Sequence, residues 1–75
     1  MMTSEEQAYL VALGKTLFTK RKSLRITQEQ MAKRVKITRN HIHRIESGES
    51  PTSILTLRRI VKELGLDSMD IMKNI

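Results

Sequence analysis

The chain holds 75 residues, with no Cys, no Trp, and Tyr9 and Phe18 as its two aromatics. A chain of that length has room for a single domain, residues 1–75, with one small core that buries about 60% of the unfolded surface, which excludes large enzymes and multidomain architectures. Its net charge of +6 is unevenly spread: residues 1–14 carry two acids and no base, residues 15–44 carry ten bases against Glu29 alone, and residues 45–75 carry five acids and four bases.

Helical periodicity runs through the chain, and strand alternation is absent. Ser4, followed by Glu5, Glu6 and Gln7, reads as a capping box with acids in the first turn, and Leu10, Leu13 and Leu17 repeat behind it. The first helix is expected over about 5–22. Leu24 and Ile26 follow out of register, so the chain should turn there with both side chains leaning on the core. Thr27 and Gln30 give a second capping box, with Met31, Ala32 and Val35 on one face of a two-turn helix. Lys36, Ile37 and Thr38 separate it from a third helix over 39–47, capped by Thr38, closed by Gly48 and carrying Ile42 and Ile45 inward. Ser53 can cap a fourth helix with Ile54, Leu57, Ile60, Val61 and Leu64 inward, ending at Gly65. Asp67 or Ser68 can cap a fifth, 69–74.

The span 28–47 has its apolar residues where two short helices crossing steeply through a three-residue turn require them. Small Ala32 allows close approach, while Met31, Val35, Ile37, Ile42 and Ile45 face inward. The chain here resembles the Cro/CI-type helix-turn-helix regulators, the XRE family, with the DNA-binding domains of lambdoid phage repressors and Cro proteins as the nearest shape. The residues that carry the likeness are Thr27-Gln28 with Met31-Ala32, Ile42 with Arg44-Ile45-Glu46-Ser47-Gly48, Leu57 with Ile60, Leu64-Gly65-Leu66, and Ile71. The likeness implies an all-α, compact five-helix, lambda-repressor-like domain with a central helix-turn-helix. It also implies a buried ion pair between Arg21 and Glu46; the competing role for Arg21 is a phosphate contact within the Lys20-Arg21-Lys22 run. Two departures stand out: Lys36 occupies the turn position usually held by Gly, and Arg25 replaces the usual Gly before the second helix. A left-handed Lys36 would cost on the order of 1 kcal/mol relative to Gly.

With Ile42 and Ile45 inward, Arg39, Asn40, His43, Arg44 and Ser47 form the opposite face of the third helix. Arg can pair bidentately with guanine and Asn with adenine, and the N-terminal part of such a helix enters the major groove. Arg39, Asn40 and Arg44, then His43, are therefore the expected base contacts. Gln28 stands at a helix N-terminus, where free N–H groups and the dipole favour an anion, and the resemblance gives it the same phosphate-contacting role, with Thr27 and Ser47 as neighbours. Arg25, Lys36 and Thr38 complete the expected phosphate set, which adds affinity and salt dependence without choosing sequence. A reader this small calls for a two-fold homodimer on an inverted repeat of double-stranded DNA. The segment 66–75 is the expected dimerisation segment, with Leu66 and Ile71 core and Met69, Met72 and Ile75 on the partner surface.

Other chemistries fit poorly. The absence of cysteine removes any disulfide, thiolate zinc site or thiol nucleophile. His41 and His43, two apart on a helix, do not face each other, and no third His exists to complete a metal site. No nucleophile and base set and no Gly-rich phosphate loop is present, so no enzyme, no cofactor and no small-molecule ligand is expected. The acidic start, the short apolar run Ala8 to Leu13, and the lack of any stretch near the roughly 18 apolar residues of a membrane span point to a soluble, cytoplasmic protein. The reading is a sequence-specific regulator of the phage or plasmid repressor type, or the controller of a restriction-modification operon. The main rival is an antitoxin-like module that first binds a partner protein, through an apolar patch around Tyr9 and Phe18, with DNA binding secondary. A basic membrane-surface helix is disfavoured because the positive block spans three helices.

Overall fold

Every helix among the described residues begins on a hydroxyl side chain that accepts the N–H three residues on. In a computed structural model, which describes residues 1–67, these starts open α1 (Ser4–Ser23), α2 (Gln28–Val35), α3 (Arg39–Ser47) and α4 (Ile54–Leu64), and no strand occurs among the described residues. Thr27 Oγ1 accepts the Gln30 N–H at 3.0 Å and Gln30 Oε1 accepts the Thr27 N–H at 2.9 Å. Thr38 and Ser53 cap α3 and α4 in the simpler one-way manner.

The start of α1 corrects the sequence expectation by one residue. Thr3, not Ser4, is the cap, with Glu6 returning its carboxylate to the Thr3 N–H at 2.8 Å. A Ser4 box would have needed Gln7, but Gln7 Nε2 instead donates to the Gly48 carbonyl at 2.8 Å, across the fold. That contact fixes the first turns of α1 against the end of α3.

Among the described residues, ten apolar side chains form the core: Leu13 and Leu17 of α1, Ile26, then Met31, Ala32 and Val35 of α2, Ile42 and Ile45 of α3, and Ile60 and Leu64 of α4. Fully burying one such side chain is worth roughly 1.5–3 kcal/mol, so these residues set the helix arrangement. Tyr9, Ile37, Leu57, Val61 and Leu66 pack half-buried around them. Helices α1 and α3 approach backbone to backbone at Gly14, where an added Cβ would stand 2.6 Å from the Ile45 carbonyl oxygen.

Two expected core residues face solvent. Leu24 is 44% exposed while Ile26 is buried; Arg25 between them is left-handed, at φ 58, which turns the chain so that only the second side chain reaches the core. Ile54 is 77% exposed. The buried row of α4 is Thr56, Ile60 and Leu64, and Ile54 falls on the row of Arg58 and Lys62, which is exposed. The expected fifth helix, 69–74, and Met69, Ile71, Met72 and Ile75 lie outside the described residues. No helix among the described residues is long and apolar enough to cross a membrane.

Candidate nucleic-acid interface

Helices α2 and α3 are joined by a turn that the sequence makes tight and keeps anchored. Lys36 adopts the left-handed conformation, φ 61, and both its N–H and that of Ile37 return to the Ala32 carbonyl. Ile37 packs half-buried against the core, so the turn is held from beneath. Lys36 itself is exposed, and Arg25 at the other end of α2 is exposed and left-handed as well. Lys36 and Arg25 thus each place a cation in a conformation that L-residues enter at a cost of roughly 1–2 kcal/mol.

Helix α3 has two faces. Ile42 and Ile45 are buried, while Arg39, Asn40, His43, Arg44 and Ser47 are exposed. Arg39, Asn40 and His43 line one open depression together with Gln28 of α2. Arg44 lies outside that depression. Ser47 is engaged locally, its hydroxyl 2.8 Å from Glu49 Oε2 and 3.2 Å from the Arg44 carbonyl. His41 sits half-buried at the helix edge, with Nε2 3.4 Å from Thr52 Oγ1, and no cluster of metal-ligating side chains occurs among the described residues.

Beneath this face lies a charged network. Arg21 Nε donates to Glu46 Oε2 at 2.7 Å, Nη2 to Glu46 Oε1 at 3.0 Å, and Nη1 to the Ile26 carbonyl at 2.6 Å. The two side chains are 6% and 7% exposed. Two parallel charge-assisted bonds give this pair directional strength, and the guanidinium is turned inward rather than toward a phosphate. Gln28 joins the network by donating from Nε2 to Glu46 Oε1 at 3.1 Å. Its side-chain amide is therefore aimed by the ion pair, while the backbone N–H groups of the first turn of α2 have no intrahelical acceptor.

Thr27 and Thr38 are both exposed, and their oxygens accept the capping N–H groups. A hydroxyl that accepts still has its own proton to donate, so each can cap its helix and bond an anionic oxygen at once. Two contributions escaped sequence reasoning. Gly14 sets the α1–α3 crossing; its signal was a glycine inside a strongly helical segment, where Ala would be favoured by about 1 kcal/mol. Gln7 carried a misleading local signal, as the return partner of a Ser4 box, because the acceptor it actually uses, the Gly48 carbonyl, is remote in sequence. Of the two aromatics, Tyr9 packs half-buried on the core, whereas Phe18 is 43% exposed.

Comparison with known proteins agrees with this geometry. The family described as helix-turn-helix matches residues 17–71. An uncharacterized HTH-type transcriptional regulator of Methanothermobacter thermautotrophicus is 38% identical over 50 residues, which cover 67% of this chain and 72% of that protein.

Proposed function

Because this chain belongs to the XRE-type helix-turn-helix family of DNA-binding regulators, we propose that it binds operator DNA as a homodimer on an inverted repeat, with α3 in the major groove. The observation that carries this reading is the exposed row Arg39, Asn40, His43 and Arg44 on a helix whose opposite side is fixed in the core. Arg39, Asn40 and Arg44 read base edges, with His43 beside them; one good bidentate pairing discriminates by about 1–3 kcal/mol. Thr27, Gln28, Arg25, Lys36, Thr38 and Ser47 hold the sugar-phosphate backbone on either side and set the register.

The dimer would be built through the segment 66–75, with Met69, Met72 and Ile75 as its contacts, and would space two half-sites about one helical turn apart. Coupled dimerisation and operator binding would make occupancy follow protein concentration, which suits a phage or plasmid repressor or a restriction-modification controller. Selection of bound duplexes from a random pool at about 150 mM salt tests the reading. Enrichment of an inverted repeat is the expected result. Retention without a motif, or no retention, would refute it and turn attention to a protein partner. A chain ending at Asp67 should be monomeric; a stable dimer of that form would move the interface elsewhere.

A further inference from the structure

The cations at the end of α1 lie outside the helix-turn-helix unit, yet they face the same side of the molecule. An open cleft of about 850 Å3 lies beside the start of α2, walled among others by Phe18, Lys22, Arg25, Thr27, Gln28 and Arg39. Among the described residues, Lys22, Arg25 and Arg39 are in no ion pair with a carboxylate. The carboxylate on the wall, Glu29, stands 3.9 Å from Lys33 on its own helix. The cleft therefore presents unneutralised positive charge.

Lys22 has an aromatic neighbour. Its Nζ lies over the Phe18 ring, 6.0 Å from the centroid, and the Arg21 guanidinium carbon is 5.4 Å from the same ring. The negative face of an aromatic ring attracts a cation at this range, so the half-exposed Phe18 serves as a shelf that leans the Lys22 ammonium at the lip of the cleft. Gln28 and Arg39 wall both this cleft and the depression on the exposed face of α3, so the two adjoin. A sugar-phosphate backbone crossing the N-terminus of α2, where free N–H groups favour phosphate, meets Lys22 as the next cation outward.

Resting on the DNA-binding reading above, we propose that Lys22, shelved on Phe18, binds a backbone phosphate flanking the half-site, so that α1 extends the DNA footprint beyond the helix-turn-helix unit. The test compares the wild type with Lys22→Gln, Phe18→Leu and Lys20→Gln on a selected duplex carrying mixed-sequence flanks, titrated over a range of salt. Lys20 lines a different groove, with Ala12, Lys15 and Thr16, and controls for bulk charge. Removing one phosphate contact flattens the slope of log K against log salt by about 0.9. That change is expected for Lys22→Gln and absent for Lys20→Gln, and it should vanish when the duplex is trimmed to end at the half-site. Phe18→Leu should weaken binding with the same dependence on flanks. Equal slopes for wild type and Lys22→Gln, or equal flattening by both lysine variants, would overturn the inference while leaving the DNA-binding reading intact. A wild type that binds no duplex would overturn the reading itself. Thermal melting checks folding, and since Phe18 also touches Arg21, Lys22→Gln decides the matter if Phe18→Leu melts low.

Discussion

Replacing Glu46 by Ala is the sharpest test of how this domain is held together. The substitution leaves the Arg21 guanidinium, buried with its side chain 6% exposed, with the Ile26 carbonyl as its remaining acceptor. It also frees the Gln28 amide. Breaking a buried pair by removing one partner costs about 3–5 kcal/mol, because the charge left behind is uncompensated. A 75-residue domain has a total stability of roughly 4–11 kcal/mol at about 0.05–0.15 kcal/mol per residue. The variant is thus expected to lose a large share of its stability, and at about 4–8 °C per kcal/mol to melt more than roughly 12 °C lower. Urea denaturation of the wild type, Glu46→Ala, Arg21→Met and the double variant carrying both substitutions would measure the coupling. The double variant, with no stranded charge, should be more stable than the sum of the single losses by about 2 kcal/mol or more. Glu46→Gln, which keeps an acceptor for one guanidinium N–H, should fall between. A Glu46→Ala loss below about 1 kcal/mol, or single losses that simply add, would refute the argument.

Gly14→Ala should destabilise the fold by on the order of 1–3 kcal/mol through overpacking against the α3 carbonyls, despite the better helix propensity of Ala; unchanged melting would mean that the two backbones separate freely. Lys36→Gly should raise stability by up to about 1 kcal/mol, relief of the left-handed conformation being offset in part by the larger conformational entropy Gly loses on folding, while flattening the salt dependence of DNA binding by about 0.9 if Lys36 holds a phosphate. A drop in the denaturation midpoint would contradict the strain. Arg39→Ala and Asn40→Ala should leave melting unaltered, since both side chains are exposed. Each should weaken operator binding by about 1–3 kcal/mol and relax preference at its own base position; equal losses on operator and random duplex would reassign that residue to the phosphates.

The division between what could be read in advance and what could not follows the range of the interactions. The caps at Thr27, Thr38 and Ser53, the turn at Lys36 and the two-faced character of α3 all arise within a few residues, so spacing alone exposes them. The position of the first cap does not, because the choice between Thr3 and Ser4 depends on Gln7, which bonds Gly48. Leu24 and Ile54 fit the apolar pattern but face water, since apolar type records what a residue tolerates and not whether another helix arrives to cover it.

The sequence by itself therefore determined the helix-turn-helix unit, its caps, the basic block and the row of polar side chains on α3, all through short-range hydrogen bonding and helical periodicity. Tertiary structure decided the rest. It joined Ile26 and Gln28 to the Arg21–Glu46 pair that the family resemblance implied, set α1 against α3 at Gly14, and gathered Phe18, Lys22, Arg25 and Arg39 around a single cleft. Those groupings join residues from separate helices, and only the packing of the core fixes the distances between them.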